Sequence, residues 1–252
     1  MSATILSVRR LTKRFGAHVV SDDIHLDLIE SEIHAVIGPN GAGKTTLVNQ
    51  LIGELAPDAG AISFDGRDIT SLPVYQRSLL GLSRSYQITS VFPDFSVLEN
   101  VSIAAQAHDG HSFGIWHPAA HEEALTALSL ASLQKVGLTE RAHTLVSELA
   151  HGERRQLEIA MALVSKSKVL LLDEPMAGMG KRESEEMVKL LSGLKGQYTM
   201  LLIEHDMDAV FALADRISVL VYGKIIATGS PNEIRNSSEV RKAYLGESYA
   251  SA

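Results

Sequence analysis

The chain has 252 residues, 45% of them hydrophobic, 21% charged and 5% aromatic, an ordinary globular composition with enough length for one large domain and a substantial core. Its formal net charge of −7 lacks the basic excess of a nucleic-acid binder, and the absence of cysteine excludes disulfides and thiolate metal sites. No apolar run approaches the roughly 20 residues that cross a bilayer, so a soluble chain is expected, with any membrane role falling to a partner.

At the N-terminus, basic residues follow the first apolar stretch and no long apolar core appears, a pattern unlike a secretion signal. Ile33, Ala35, Val36 and Ile37 predict a short buried strand, and Leu47, Val48, Leu51 and Ile52 predict a helix after the intervening glycine-rich loop. Across 93–166 strand-like runs vanish and helical periods dominate, broken by a loop-like patch from His108 to Pro118. The run Ile159 to Leu172, the most apolar in the chain, is interrupted by Lys166 and Lys168. Val169 to Leu172 and Met200 to Ile203 predict two more buried strands. Each precedes a helix, with Met187, Leu190, Leu191 and Leu194 on one face of the first and Met207, Val210, Phe211 and Ala214 on one face of the second. Ser230, Pro231, Asn232 and Glu233 carry a capping-box pattern that starts a last helix. The alternation predicts an α/β fold with a mainly parallel sheet. A single domain is expected: a core from 1–92 and 167–230, a helical subdomain at 93–166, and a C-terminal helix and tail at 231–252.

Gly38–Pro39–Asn40–Gly41–Ala42–Gly43–Lys44–Thr45–Thr46 matches G-x-x-x-x-G-K-[ST], between a predicted strand and a predicted helix. Glycines let backbone N–H groups close around phosphates, and the helix dipole adds positive potential. Lys44 is expected to reach the β- and γ-phosphates of ATP, and the Thr45 hydroxyl to hold Mg²⁺. Asp173 and Glu174 end the second buried strand, at the sheet edge where open α/β sheets bind ligands. Asp173 would support Mg²⁺, and Glu174 would orient or deprotonate the attacking water. His205 follows the third strand and could bond a γ-phosphate oxygen. The segment Leu149 to Gln156 opens a helix that contains a glycine, able to present N–H groups to an anion or simply to start a helix. His108, His111, His117 and His121 lack helical spacing and read as a solvated loop rather than a metal site. Phe92 and Phe95 are apolar residues in a loop expected to face outward.

Taken in order, GPNGAGKTT, Gln87 in SRSYQ, LAHGERRQ, LLLLDEP and His205 in LIEHD resemble the motifs of an ATP-binding cassette ATPase over nearly the whole chain. The resemblance implies a RecA-like P-loop NTPase core, an N-terminal antiparallel β subdomain and an inserted helical subdomain. It implies that Ala150, His151, Gly152 and Glu153 form the signature motif, closing over ATP bound to a second subunit. It also implies that Gln87 touches Mg²⁺ and water and links to the membrane partner. Phe15 resembles the aromatic residue that stacks on adenine, and Ala177, Gly178 and Met179 stand where subunits of the family sense each other. The commonest family signature has serine where Ala150 stands, so contacts across the dimer would rest on backbone N–H groups around Gly152. GLSRSYQ, VFPDFSVLENV, LAHGERRQLEIA, EPMAGM and IRNSSEVRKAYLGE resemble ATPase subunits of branched-chain amino acid importers. Urea and amide importers and lipopolysaccharide exporters share some of this wording, and a soluble non-transport cassette ATPase is the further alternative. The implied partners are a second ATPase subunit, two membrane permeases with Phe92 and Phe95 lining the groove for one of their helices, and indirectly a periplasmic solute-binding protein. No nucleic acid is expected, and the implied location is the cytoplasmic face of the inner membrane.

Overall fold

The computed structural model describes residues 3–85, 91–109 and 119–245. β1 (Thr4–Phe15) and β2 (His18–Ile29) place Leu6, Val8, Leu11, Ile24, Leu26 and Leu28 in the core and close into an antiparallel hairpin. β3 (Ile33–Ile37) is buried at every position and leads through the glycine loop into α1 (Lys44–Ile52), as predicted. β4 (Ala59–Phe64) and the short β5 (Arg67–Asp68) return to the hairpin, giving an antiparallel sheet of order β2-β1-β4-β5. After α2 (Val74–Leu79) and β6 (Leu82–Ser85), the regular structure described before Val169 is helical apart from a bridge between Ser96 and Leu145. Its long helices are α3 (Val97–Asp109), α4 (Ala119–Lys135) and α5 (His151–Val164).

The rest alternates: β7 (Val169–Asp173), α6 (Lys181–Leu194), β8 (Thr199–Ile203), α7 (Met207–Leu213), β9 (Arg216–Val221), β10 (Lys224–Gly229) and α8 (Pro231–Asn236). The second sheet has the order β10-β9-β3-β8-β7-β6 and is parallel except where β10 turns back on β9. Its central strands are covered on both faces, the usual state of parallel strands. Leu170, Leu172, Met200 and Leu202 belong to a core shared with α3, α5, α6 and α7, whereas Val169, Leu171, Leu201 and Ile203 belong to one shared with α1 and the antiparallel sheet. Because β3, β7 and β8 run in parallel, the loops after all three emerge at one edge of the sheet. That edge holds the candidate site.

The predicted last helix is present with its cap. Ser230 N–H donates to Glu233 Oε2 at 2.7 Å, Glu233 N–H donates to Ser230 Oγ at 3.3 Å, and Pro231 begins α8. One expectation is corrected. The buried seam of Val97, Val101 and Ala105 carries α3 through Asp109, so His108 is helical rather than part of a loop, and His121 lies in α4. His111 and His117 lie outside the described residues.

Candidate nucleotide site

β3 delivers Gly38 to a point where no side chain fits: a Cβ there would stand 2.0 Å from the Leu220 carbonyl oxygen. Gly43 opens α1 at φ 106°, and a Cβ on it would meet the Val20 carbonyl oxygen at 2.6 Å. Both positions therefore require glycine. Between them the loop is pinned at Ala42, whose N–H donates to the Pro39 carbonyl at 3.2 Å and whose carbonyl accepts from Gly223 N–H at 2.9 Å. The result is a cavity of about 240 Å³ lined by Val20, Asn40, Gly41, Ala42, Gly43, Lys44, Thr45, Thr46 and Glu174. Lys44 folds back over the loop, its Nζ donating to the carbonyls of Gly38 at 2.7 Å and Pro39 at 3.1 Å. Burial holds its pKa below the usual lysine value, while the Glu174 and Asp173 carboxylates act in the opposite direction.

Asp173 ends β7 almost fully buried, and its Oδ2 accepts from Arg84 Nη2 at 2.6 Å. Arg84, on β6, also donates to Asn49 Oδ1 of α1 at 2.9 Å. Arg84 falls within the SRSYQ stretch, but the motif gives it no role; its other signal is a cation inside a strand that is paired with β7. Replacing it with methionine leaves Asp173 buried without this partner, and breaking a buried pair in this way costs about 3 kcal/mol or more. Arg84→Met should therefore lose stability on that scale in urea unfolding.

At Glu174 the chain turns out of the sheet with φ 48°, a left-handed conformation that costs a non-glycine residue about 1–2 kcal/mol. The Glu174 N–H still donates to the Ile203 carbonyl at 2.8 Å, and its side chain lines the phosphate-loop cavity. His205, more than half exposed, holds Nδ1 3.9 Å from Glu174 Oε1. The residue before His205, Glu204, is 1% exposed and has no role assigned within LIEHD; its signal is a carboxylate directly after four apolar strand residues. Phe15 ends β1 opposite His18, about half exposed, with Lys13 Nζ 5.8 Å from its ring centroid; Val20 of the same hairpin lines the cavity. Gln87 lies outside the described residues.

The segment from Ala150 to Glu153 stands elsewhere. Glu153 accepts from the Ala150 N–H at 2.9 Å and from Arg141 Nε at 3.0 Å, but Ala150 has no side-chain oxygen to accept in return, so only half a capping box forms. Ala150, Gly152 and Glu153 line a separate cavity of about 140 Å³ with Glu183 and Met187 of α6, and neither they nor His151 line the phosphate-loop cavity. The His151 ring instead approaches Gly178: a Cβ placed there would lie 3.6 Å from His151 Cε1. The structure thus joins the phosphate loop, Asp173, Glu174 and His205, and sets His151 beside Gly178.

A parallel sheet with a phosphate loop and an acidic strand end at one edge defines a P-loop nucleoside triphosphatase. Residues 21–177 match the family model described as ABC transporter, and residues 224–250 match one described as branched-chain amino acid ATP-binding cassette transporter. LivG, the high-affinity branched-chain amino acid transport ATP-binding protein of Salmonella typhimurium, is 40% identical over 254 aligned positions, covering 98% of this chain and 100% of that protein. LptB, the lipopolysaccharide export system ATP-binding protein of Haemophilus influenzae, is 31% identical, covering 98% of this chain and 99% of that one. The crystal structure of the ADP conformation of an ATP-binding cassette from an ABC transporter superposes with a TM-score of 0.84 at 26% identity, covering 98% of this chain and 100% of that one. The chain belongs to the ABC transporter family, as one of its ATP-binding-cassette ATPases.

Proposed function

We propose that the chain hydrolyses ATP to drive an importer of branched-chain or closely similar amino acids. The observation that carries this reading is the match of residues 224–250 to the branched-chain transporter model, outside the cassette match itself. The higher identity to LivG than to LptB favours import over lipopolysaccharide export.

In this reading the N–H groups from Gly38 to Thr46 cradle the phosphates, and Lys44 exchanges its two loop carbonyls for phosphate oxygens. Glu174 takes the proton of the attacking water, His205 holds the γ-phosphate beside it, and Phe15 stacks on the base. Gln87 keeps the role that the family resemblance gives it. The Thr45 hydroxyl and the Asp173 carboxylate are hard oxygen donors that suit Mg²⁺. No cluster of three His, Cys, Asp or Glu that could hold a metal stands among the described residues. Bound there, Mg²⁺ would neutralise phosphate charge. The separation of residues 150–153 from the phosphate-loop cavity supports a site completed by the signature of a second ATPase subunit. The division into a core at 1–92 and 167–230, helices at 93–166 and a tail at 231–252 is retained, supported by the helical run between β6 and β7.

No helix among the described residues is long and apolar enough to cross a membrane. The proposed attachment is peripheral, at the cytoplasmic face, through two permeases fed by a solute-binding protein. A groove of about 200 Å³, lined by Val74, Val91, Ala104 and Met161 with Arg84 and Glu158, is the place proposed to receive side chains of a permease helix. Phe92 and Phe95 do not line it. They are exposed, with ring centroids 5.5 Å apart, and Phe92 directly follows the groove-lining Val91. Vesicles carrying the chain with its permeases and binding protein should hydrolyse ATP faster when leucine, isoleucine or valine is supplied. Phe92→Ala with Phe95→Ala should cut that transport severalfold while ATP affinity holds. Stimulation by none of the three amino acids would sink the substrate assignment, and unchanged transport in the double variant would remove the two phenylalanines from the docking surface.

A further inference from the structure

We propose that Glu204 is a positioning residue for hydrolysis: its carboxylate ties the loop that carries Glu174 to the loop that carries His205. The proposal rests on the assignment of Glu174 and His205 to the reaction. Glu204 is 1% exposed, whereas the His205 side chain next to it is 60% exposed. A carboxylate that deep needs donors, and it finds them in two places. Oε1 accepts from the Met176 N–H at 3.0 Å, and Oε2 accepts from His205 N–H at 3.0 Å and Asp206 N–H at 3.4 Å. Met176 belongs to the turn that begins at Glu174, which is closed by the Ala177 N–H donating to the Glu174 carbonyl at 3.0 Å.

The location explains why a bridge is needed. β7 and β8 pair in register up to Asp173 and Ile203, and the Glu174 N–H makes one more bond to Ile203. Beyond it the chains part, one through the left-handed turn at Glu174 and the other into α7. Glu204 spans that divergence from a position buried beneath both. The His205 ring then stands between two carboxylates, its Nδ1 3.8 Å from Glu204 Oε2 and 3.9 Å from Glu174 Oε1. Small displacements between reacting groups are costly, so a bridge of this kind acts on the chemical step more than on ATP affinity.

Glutamine matches glutamate in size but has a single acceptor oxygen. However it turns, its NH₂ faces either the Met176 N–H or the N–H pair of His205 and Asp206. In the full chain, Glu204→Gln should lower kcat by about tenfold to a hundredfold with little change in KM for Mg-ATP. Because it acts through His205 and Glu174, its effect combined with His205→Ala should be smaller than the product of the two single losses. A merely structural role would lower the melting temperature and leave kcat per folded chain alone. Parental kcat in Glu204→Gln, or losses that simply multiply, overturn the proposal. Should that variant not yield folded chain, Glu204→Asp, one methylene too short to hold both loops, is read against the same outcomes. Glu174→Gln measured alongside separates the two levels. Parental turnover there removes the assignment beneath the proposal, whereas lost turnover there with parental kcat in Glu204→Gln removes the bridge alone.

Discussion

Glu174→Gln should stop ATP turnover while leaving ATP bound. Removing a general base costs about a hundredfold to ten-thousandfold in rate. Little else about the site should change, because glutamine keeps the size of the side chain and makes no new demand on the left-handed backbone at φ 48°. The N–H bond to Ile203 that holds the turn is a backbone bond and survives the substitution. Glu174 lines the same cavity as the phosphate loop, so removing its negative charge also relieves repulsion against bound triphosphate. Affinity for ATP should therefore hold or rise while phosphate release disappears. If two chains close over the nucleotide as proposed, the variant should also accumulate as an ATP-dependent dimer on size-exclusion chromatography. Phosphate release at the parental rate would take the catalytic role away from Glu174, and a monomer at saturating ATP would take away the shared site.

The sheet edge was legible in the sequence because its strands are buried on both faces. β7 and β8 read as unbroken apolar runs and β3 as one broken only by His34, and an acid or glycine directly after such a run marks the strand end. The antiparallel sheet was less legible and came with the family resemblance. β1 and β2 carry exposed residues such as Arg9, Arg10, Arg14 and Asp23 among their buried ones, and their pairing slips register at several points, which blurs a clean alternation. The end of α3 was hidden because His108 and Asp109 are weak helix formers followed by Gly110 in the sequence, and they read as loop once packing is ignored. Arg84 and Glu204 were hidden for a different reason. Each matters through a partner far along the chain, Asp173 at 89 residues and Met176 at 28, and no local pattern announces a bond that only the closed sheet creates.

Lys44→Ala should abolish hydrolysis, by about a hundredfold to a thousandfold or more, as for other preorganised donors aimed at developing charge. The resting side chain shows why. Its Nζ is held by two loop carbonyls at 2.7 and 3.1 Å, already inside the cavity, so incoming phosphate oxygens exchange partners with it without a large movement. Alanine leaves those carbonyls facing the phosphates, with the Asp173 and Glu174 carboxylates close by, and only the backbone N–H groups and the helix dipole remain to offset that repulsion. Arginine should not rescue, because a planar guanidinium cannot replace a compact ammonium in a loop this tight. A pH series supplies the sharper test. Burial lowers the Lys44 pKa, so its charge is lost, as pH rises, earlier than on an ordinary lysine. ATP affinity should fall through that alkaline limb in the parental chain, and Lys44→Ala should bind weakly with no such limb. An unchanged alkaline limb in the alanine variant would assign the titration to another group.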